Sequence, residues 1–228
     1  MRSAIAIIPS APVMVPELAA SAAQELTDLR DAVFAATGSL PQRWMAIGVA
    51  ADDAVIGADR AGTFAGYGVD VRVALSPDAG DTPGELPLCA LITGWVRGQV
   101  DPQACAEVRV YSGDLSAAAA MEAGRRLRGE IDESADAVGV LVVADGAHTL
   151  TTSAPGGYDP KSIPVQDALD DALARGDAAA LGELSDGVVG RVAYQVLAGL
   201  SGASPRLAKE LYRGAPYGVG YFAGVWHP

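Results

Sequence analysis

The chain has 228 residues, half of them hydrophobic and 19% charged, with a formal net charge of −12. This balance supports one large α/β domain or two small ones around a substantial core, and it excludes global disorder. The negative sign argues against nucleic acid or an anionic lipid surface as a partner: only Lys161 and Lys209 carry ammonium groups, and Arg125-Arg126-Leu127-Arg128 is the one basic block.

Cys89 and Cys105 are too few for a disulfide framework and form no C-x-x-C pair. No run of about 20 apolar residues is present to span a membrane. The short apolar run Ile5–Ile8 ends at Pro9, which suits a buried strand better than a secretion signal. The expected location is cytoplasmic, and the expected organisation is a single domain over residues 1–228.

In chain order, Ala4–Ile8 is a continuous apolar run and predicts a central strand. Pro16 then opens a predicted helix over Glu17–Ala36, with Leu18, Ala22, Leu26, Leu29 and Val33 on one face. Strands are predicted over Trp44–Val49 and, from strict alternation, over Val69–Leu75. A helix over Leu86–Arg97, a strand over Glu107–Tyr111 and an Ala-rich helix over Leu115–Arg128 follow. Ala137–Val143 is the most hydrophobic strand and is placed at the sheet centre. Next comes a Gly/Pro/Thr-rich loop, Gly146–Pro160, longer than connections usually are. Helices are predicted over Val165–Arg175, Ala178–Leu184, Val188–Leu200 and Pro205–Tyr212, and a last strand over Gly218–Trp226. Strands alternating with helices predict a three-layer α/β sandwich with a mostly parallel central sheet.

In open sheets of this kind ligands bind beyond the carboxyl ends of the strands. The loops Pro9–Pro16, Ala50–Tyr67 and Asp145–Pro160 therefore supply the candidate site: Ser10, Asp52, Asp53, Asp145 and His148. His148 is one of two histidines, the other being His227, so chemistry that relies on several imidazoles has little to draw on. No phosphate-binding G-x-x-x-x-G-K-[ST], no G-x-S-x-G elbow and no G-x-G-x-x-G after the first strand is present.

Four segments resemble the class III extradiol ring-cleavage dioxygenases, specifically the subunit-B-like family of the protocatechuate 4,5-dioxygenase type. They are I-P-S-A-P-V-M-V-P-E at 8–17, G-T-F-A-G-Y-G-V at 62–69, A-D-G-A-H-T-L-T-T-S-A-P-G-G-Y-D-P at 144–160 and A-P-Y-G-V-G-Y-F at 215–222. The similarity runs from Ala4 to Trp226 and implies that family's fold. It also implies Fe(II), or another divalent metal, held by two histidines and a carboxylate, with a further histidine as acid/base. His148 matches the acid/base histidine. Ser10 stands in the place of the first ligand and Asp53 nearest the second. The helix that would carry the carboxylate reads Gly190-Arg191-Val192-Ala193-Tyr194-Gln195, with no acid. If any metal is held, Asp53 and His148 are the residues to hold it; on the residues alone no cofactor is expected.

Three readings of function follow. The first is a dioxygenase-like protein without the standard Fe(II) site, keeping a small-molecule pocket; within it, Ser10, His148 and a nearby aspartate could form an acyl-transfer arrangement. The second is an active Fe(II) extradiol dioxygenase with Asp53, Asp145 and His148 as altered ligands. The third is a structural or partner-binding protein with a vestigial site. A small molecule and a second copy of the chain are the partners these readings leave open.

Overall fold

A computed structural model describes residues 2–19, 23–202, 205 and 207–228. Its main feature is a seven-stranded sheet ordered β3-β6-β2-β7-β1-β9-β8. The strands are β1 (Arg2–Ile8), β2 (Arg43–Ala50), β3 (Ala54–Ile56), β6 (Cys105–Ser112), β7 (Val138–Val143), β8 (Leu207–Gly214) and β9 (Tyr221–His227). The block β6-β2-β7-β1 is parallel throughout; β3 and β9 join it antiparallel, and β8 pairs antiparallel with β9. The expected mostly parallel sheet is present, with β7 in the middle and β2 and β1 beside it.

Strand alternation divides the core in two. Ala4, Ala6, Ile8, Leu141 and Val143 face α2 (Thr27–Thr37) and α3 (Leu88–Val100). Ile5, Ile7, Val138, Val140 and Val142 face α4 (Ala117–Glu133), α5 (Ser162–Arg175), α6 (Ala178–Gly182) and α7 (Arg191–Ser201). Helices on both sides of the sheet make the three-layer α/β sandwich.

Small residues set the closest approaches between layers. A Cβ at Gly48 on β2 would lie 2.3 Å from Cβ of Cys89, so the start of α3 rests directly on the strand. On the other face α4 and α7 touch backbone to backbone. A Cβ at Gly124 would lie 2.0 Å from the Val196 carbonyl oxygen, and one at Gly199 would lie 2.0 Å from that of Met121.

Three predicted elements are corrected. The helix expected over Glu17–Ala36 is α1 (Pro16–Ala19) and α2, and residues 20–22, which include the expected face residue Ala22, lie outside the described residues. Residues 23–26 form turns that place Leu26 in the core ahead of α2, tied by the Arg30 guanidinium donating to the Ala23 carbonyl at 2.5 Å. The strand expected over Val69–Leu75 shrinks to β5 (Arg72–Ala74), which pairs only with β4 (Ala61–Thr63) in a separate two-stranded sheet. Gly68, at φ 101°, turns the chain just before it, so Val69 and Asp70 cannot extend the ladder. Of the helix expected over Pro205–Tyr212, Arg206 lies outside the described residues and Leu207–Tyr212 belong instead to strand β8. Leu, Ala, Lys, Glu and Arg favour a helix locally, but seven paired positions with β9 override that preference.

Adding a methyl at Gly124 or Gly199 forces α4 and α7 apart. Gly124→Ala and Gly199→Ala are each expected to lower stability by about 2–3 kcal/mol, read as a shift of the urea midpoint at unchanged slope.

Candidate functional site

The parallel block ends along one edge: Ile8 pairs with Val143, and Ala50 with Ser112 two residues further on. The loops that begin at Pro9, Ala51, Gly113 and Ala144 therefore share one edge of the sheet. The Ala144 N–H donates to the Ile8 carbonyl at 3.0 Å, carrying the pairing one step past the strands. This brings Ser10 to Asp145. The Ser10 backbone N–H donates to Asp145 Oδ1 at 2.8 Å, while the described residues give the other carboxyl oxygen and the Ser10 hydroxyl no hydrogen-bond partner. Asp145 is partly buried as a residue, yet its carboxyl is pushed up to about 7 by desolvation, against the Ser10 N–H, which favours the charged form. No cation contributes to that balance.

The amino end of α7 abuts this point. The Gly190 N–H donates to the Asp145 carbonyl at 2.9 Å, and a Cβ at Gly190 would lie 2.5 Å from Cβ of Ala144. One turn on, the buried Tyr194 hydroxyl donates to the Ala144 carbonyl at 2.8 Å, and burial raises its pKa well above that of a free phenol.

His148 is exposed, with its imidazole laid against Gly156, where a Cβ would lie 2.6 Å from Cδ2. It lines a cavity of about 440 Å³ with Gly113, Asp114, Asp186, Arg191 and three valines. Arg191, which lines the same cavity, is engaged through all three guanidinium nitrogens. Its Nε pairs with Asp186 at 3.1 Å, Nη1 donates to the Leu115 carbonyl at 3.1 Å and Gln195 Oε1 at 3.0 Å, and Nη2 donates to the Gly113 carbonyl at 3.1 Å. The guanidinium thus ties the loop after β6 to α7.

Asp53 is exposed, and its Oδ1 accepts the Ser112 N–H at 2.6 Å, finishing β6. It lines a different, 330 Å³ cavity with Val55, Arg109 and Tyr111. Asp52 is exposed and has no hydrogen-bond or ion-pair partner among the described residues. Of the five candidates, then, Ser10 and Asp145 are in contact, while His148 and Asp53 line separate cavities. No hydrogen bond joins Ser10 to His148 among the described residues.

These residues do not fit Fe(II). Among the described residues no group of three or more His, Cys, Asp or Glu side chains is placed to hold a metal ion. Asp53 is committed to a strand end, His148 shares its cavity with a guanidinium, and Asp145 already accepts the Ser10 N–H on one oxygen. The sequence does not single out Gln166 of α5, whose Oε1 accepts the Ala147 N–H at 2.8 Å, Asp170, which accepts from Gln166 Nε2 at 2.8 Å, Tyr194 or Asp186. For Tyr194 and Asp186 the one local signal is Gly190, a small residue that permits close approach to Ala144 and Asp145; Gln166 and Asp170 have none.

No protein-family model and no curated protein matches the chain. Among solved structures it is similar to the crystal structure of the uncharacterized protein JW3007 from Escherichia coli K12, at a TM-score of 0.55 and 14% identity, covering 99% of this chain and 100% of the other. At that identity the likeness establishes a shared fold. No helix among the described residues is long and apolar enough to cross a membrane.

Two outcomes follow from this geometry. The folded-state pKa of Asp145 lies above its unfolded value near 4, so its neutral form favours folding below about pH 4 and that contribution is lost as pH rises through 7. Asp145→Asn should therefore flatten the fall of unfolding free energy between pH 5 and 8. Arg191→Met should cost about 1 kcal/mol, because water can replace the guanidinium at the exposed Gly113 carbonyl and only partly at the Leu115 carbonyl; chemical denaturation reads both.

Proposed function

We propose that the chain is a subunit-B-like extradiol dioxygenase-type domain that does not run the family's iron chemistry and binds a small organic molecule at the carboxyl edge of its sheet. The observation that carries this reading is the Asp145 carboxyl: desolvated at the end of the central strand, with one oxygen held by the Ser10 N–H and no basic side chain beside it. A neutral carboxyl offers a ligand a hydrogen-bond donor, which a metal-bound carboxylate cannot. His148 and Arg191 line the neighbouring cavity.

The supporting chemistry is that of the donor set. Fe(II) needs imidazoles and carboxylates at fixed geometry with oriented partners. In this chain the one imidazole near the edge has no hydrogen-bonding partner to orient it among the described residues.

Protein purified anaerobically and incubated with Fe(II) should retain far less than one iron per chain, and His148→Ala should leave that content unchanged. With 4-nitrocatechol as probe, binding should be insensitive to chelator and weakened about tenfold by Asp145→Ala, the loss of one hydrogen bond. Near-equimolar iron with ring-opened yellow product would overturn this reading in favour of an iron enzyme with altered ligands. Failure of any catechol analogue to bind would favour a vestigial site.

A further inference from the structure

Asp145 has a neighbour on each side, and Ser10 is only one of them. Past Ala144 the chain runs antiparallel beside the start of β9. The Gly146 N–H donates to the Gly220 carbonyl and the Gly220 N–H to the Ala147 carbonyl, each at 2.8 Å, and the Leu150 N–H donates to the Gly218 carbonyl at 3.1 Å. Neither glycine has room for a side chain, because a Cβ at either would lie 2.1 Å from Gln166 Oε1. One residue back on the first segment and one residue on along the second, Asp145 stands opposite Tyr221. Ser10 holds the same aspartate from the β1 side.

Tyr221 packs in the core under α2 and α3, with Ile8 and Val143, and is 4% exposed. Ala144 belongs to the opposite core, so alternation turns Asp145 toward the Tyr221 face. A buried tyrosine ordinarily gives its hydroxyl a partner. The Tyr221 hydroxyl has none among the described residues, and neither has the Ser10 hydroxyl or Asp145 Oδ2. None of the three is sealed from water: among the described residues, the one enclosed side-chain polar atom without a partner is Nη1 of Arg30. Three oxygens at adjoining positions are thus unpaired and open at one point of the sheet edge. Burial, then the neighbouring acids Asp145, Tyr217 and Tyr212, raise the pKa of the Tyr221 phenol and keep it protonated. Tyr217 differs in being spent, its hydroxyl donating to Glu25 at 3.2 Å.

We infer that Tyr221 is a second ligand-binding residue, taking one hydroxyl of a vicinal diol while Asp145 takes the other. Side chains opposite one another on neighbouring strands stand about 5 Å apart at Cβ, a span that two adjacent ring hydroxyls bridge when each is gripped from its own side. A phenol hydroxyl both donates and accepts, so it suits a diol oxygen in either role. The assignment rests on the small-molecule reading above and narrows it. A ring with a single hydroxyl satisfies Asp145 and leaves Tyr221 as unpaired as it is in the free protein.

Calorimetric titration of the full chain at about pH 6, where both probes are uncharged, compares catechol with phenol. The native chain should bind catechol about tenfold more tightly, the value of one hydrogen bond. Tyr221→Phe keeps the buried ring and removes only its oxygen. It should weaken catechol about tenfold and leave phenol unchanged, erasing the preference. Tyr217→Phe should alter neither. In the native chain the carbon-13 signal of Tyr221 Cζ should shift on saturation with catechol and stay in place with phenol, which tests the contact without a variant. Catechol binding that Tyr221→Phe leaves intact, an equal loss for both probes, or a Cζ signal that catechol does not move would overturn the assignment and spare the small-molecule reading. If neither probe binds the native chain, that reading and the assignment fall together.

Discussion

Every residue of β7, from Val138 to Val143, is buried, and the rest of the architecture follows from that constraint. A strand with no solvent face needs cover on both sides, supplied by α2 and α3 on one and by α4, α5, α6 and α7 on the other. Parallel neighbours on both flanks of β7 then require crossover connections, and the shared strand direction brings the carboxyl ends of β1, β2, β6 and β7 to one margin. The chemistry-bearing loops are gathered there by the burial of a hydrophobic strand, before any side chain in them makes a contact.

The strands that obey this constraint were legible as sequence. The runs in β1, β2 and β7 are too apolar to tolerate a wet face, and alternation in Ala4–Ile8 splits cleanly between the two cores. What failed was the reading of segments whose structure is decided by distant partners. The segment Leu207–Gly214 carries good helix formers, but β9 lies alongside and claims its backbone. The alternation in Val69–Leu75 is genuine, yet Gly68 and the small sheet with β4 confine the pairing to three residues.

The site was legible in its location and only partly in its wiring. Ser10 and Asp145 both follow strands that pair in register, so their approach was deducible from topology. That the link is a backbone N–H to a carboxylate, with the serine hydroxyl playing no part, was not. Asp53 shows the opposite case: at the right edge, it is spent on the Ser112 N–H. Gln166 lay beyond reach altogether. A glutamine within an ordinary amphipathic helix gives no local sign that glycines 74 residues apart will close around it.

The two margins of the sheet differ in length but share a property. β3 offers a newcomer only three residues, although Val55 on it is exposed. β8 is eight residues long, but it carries Lys209, Glu210 and Arg213, and its register with β9 shifts between Glu210 and Tyr212. A short margin and a charged, kinked one are both poor templates for a strand from another molecule. A sheet this rich in valine, isoleucine and alanine would otherwise be a standing invitation to edge-to-edge aggregation.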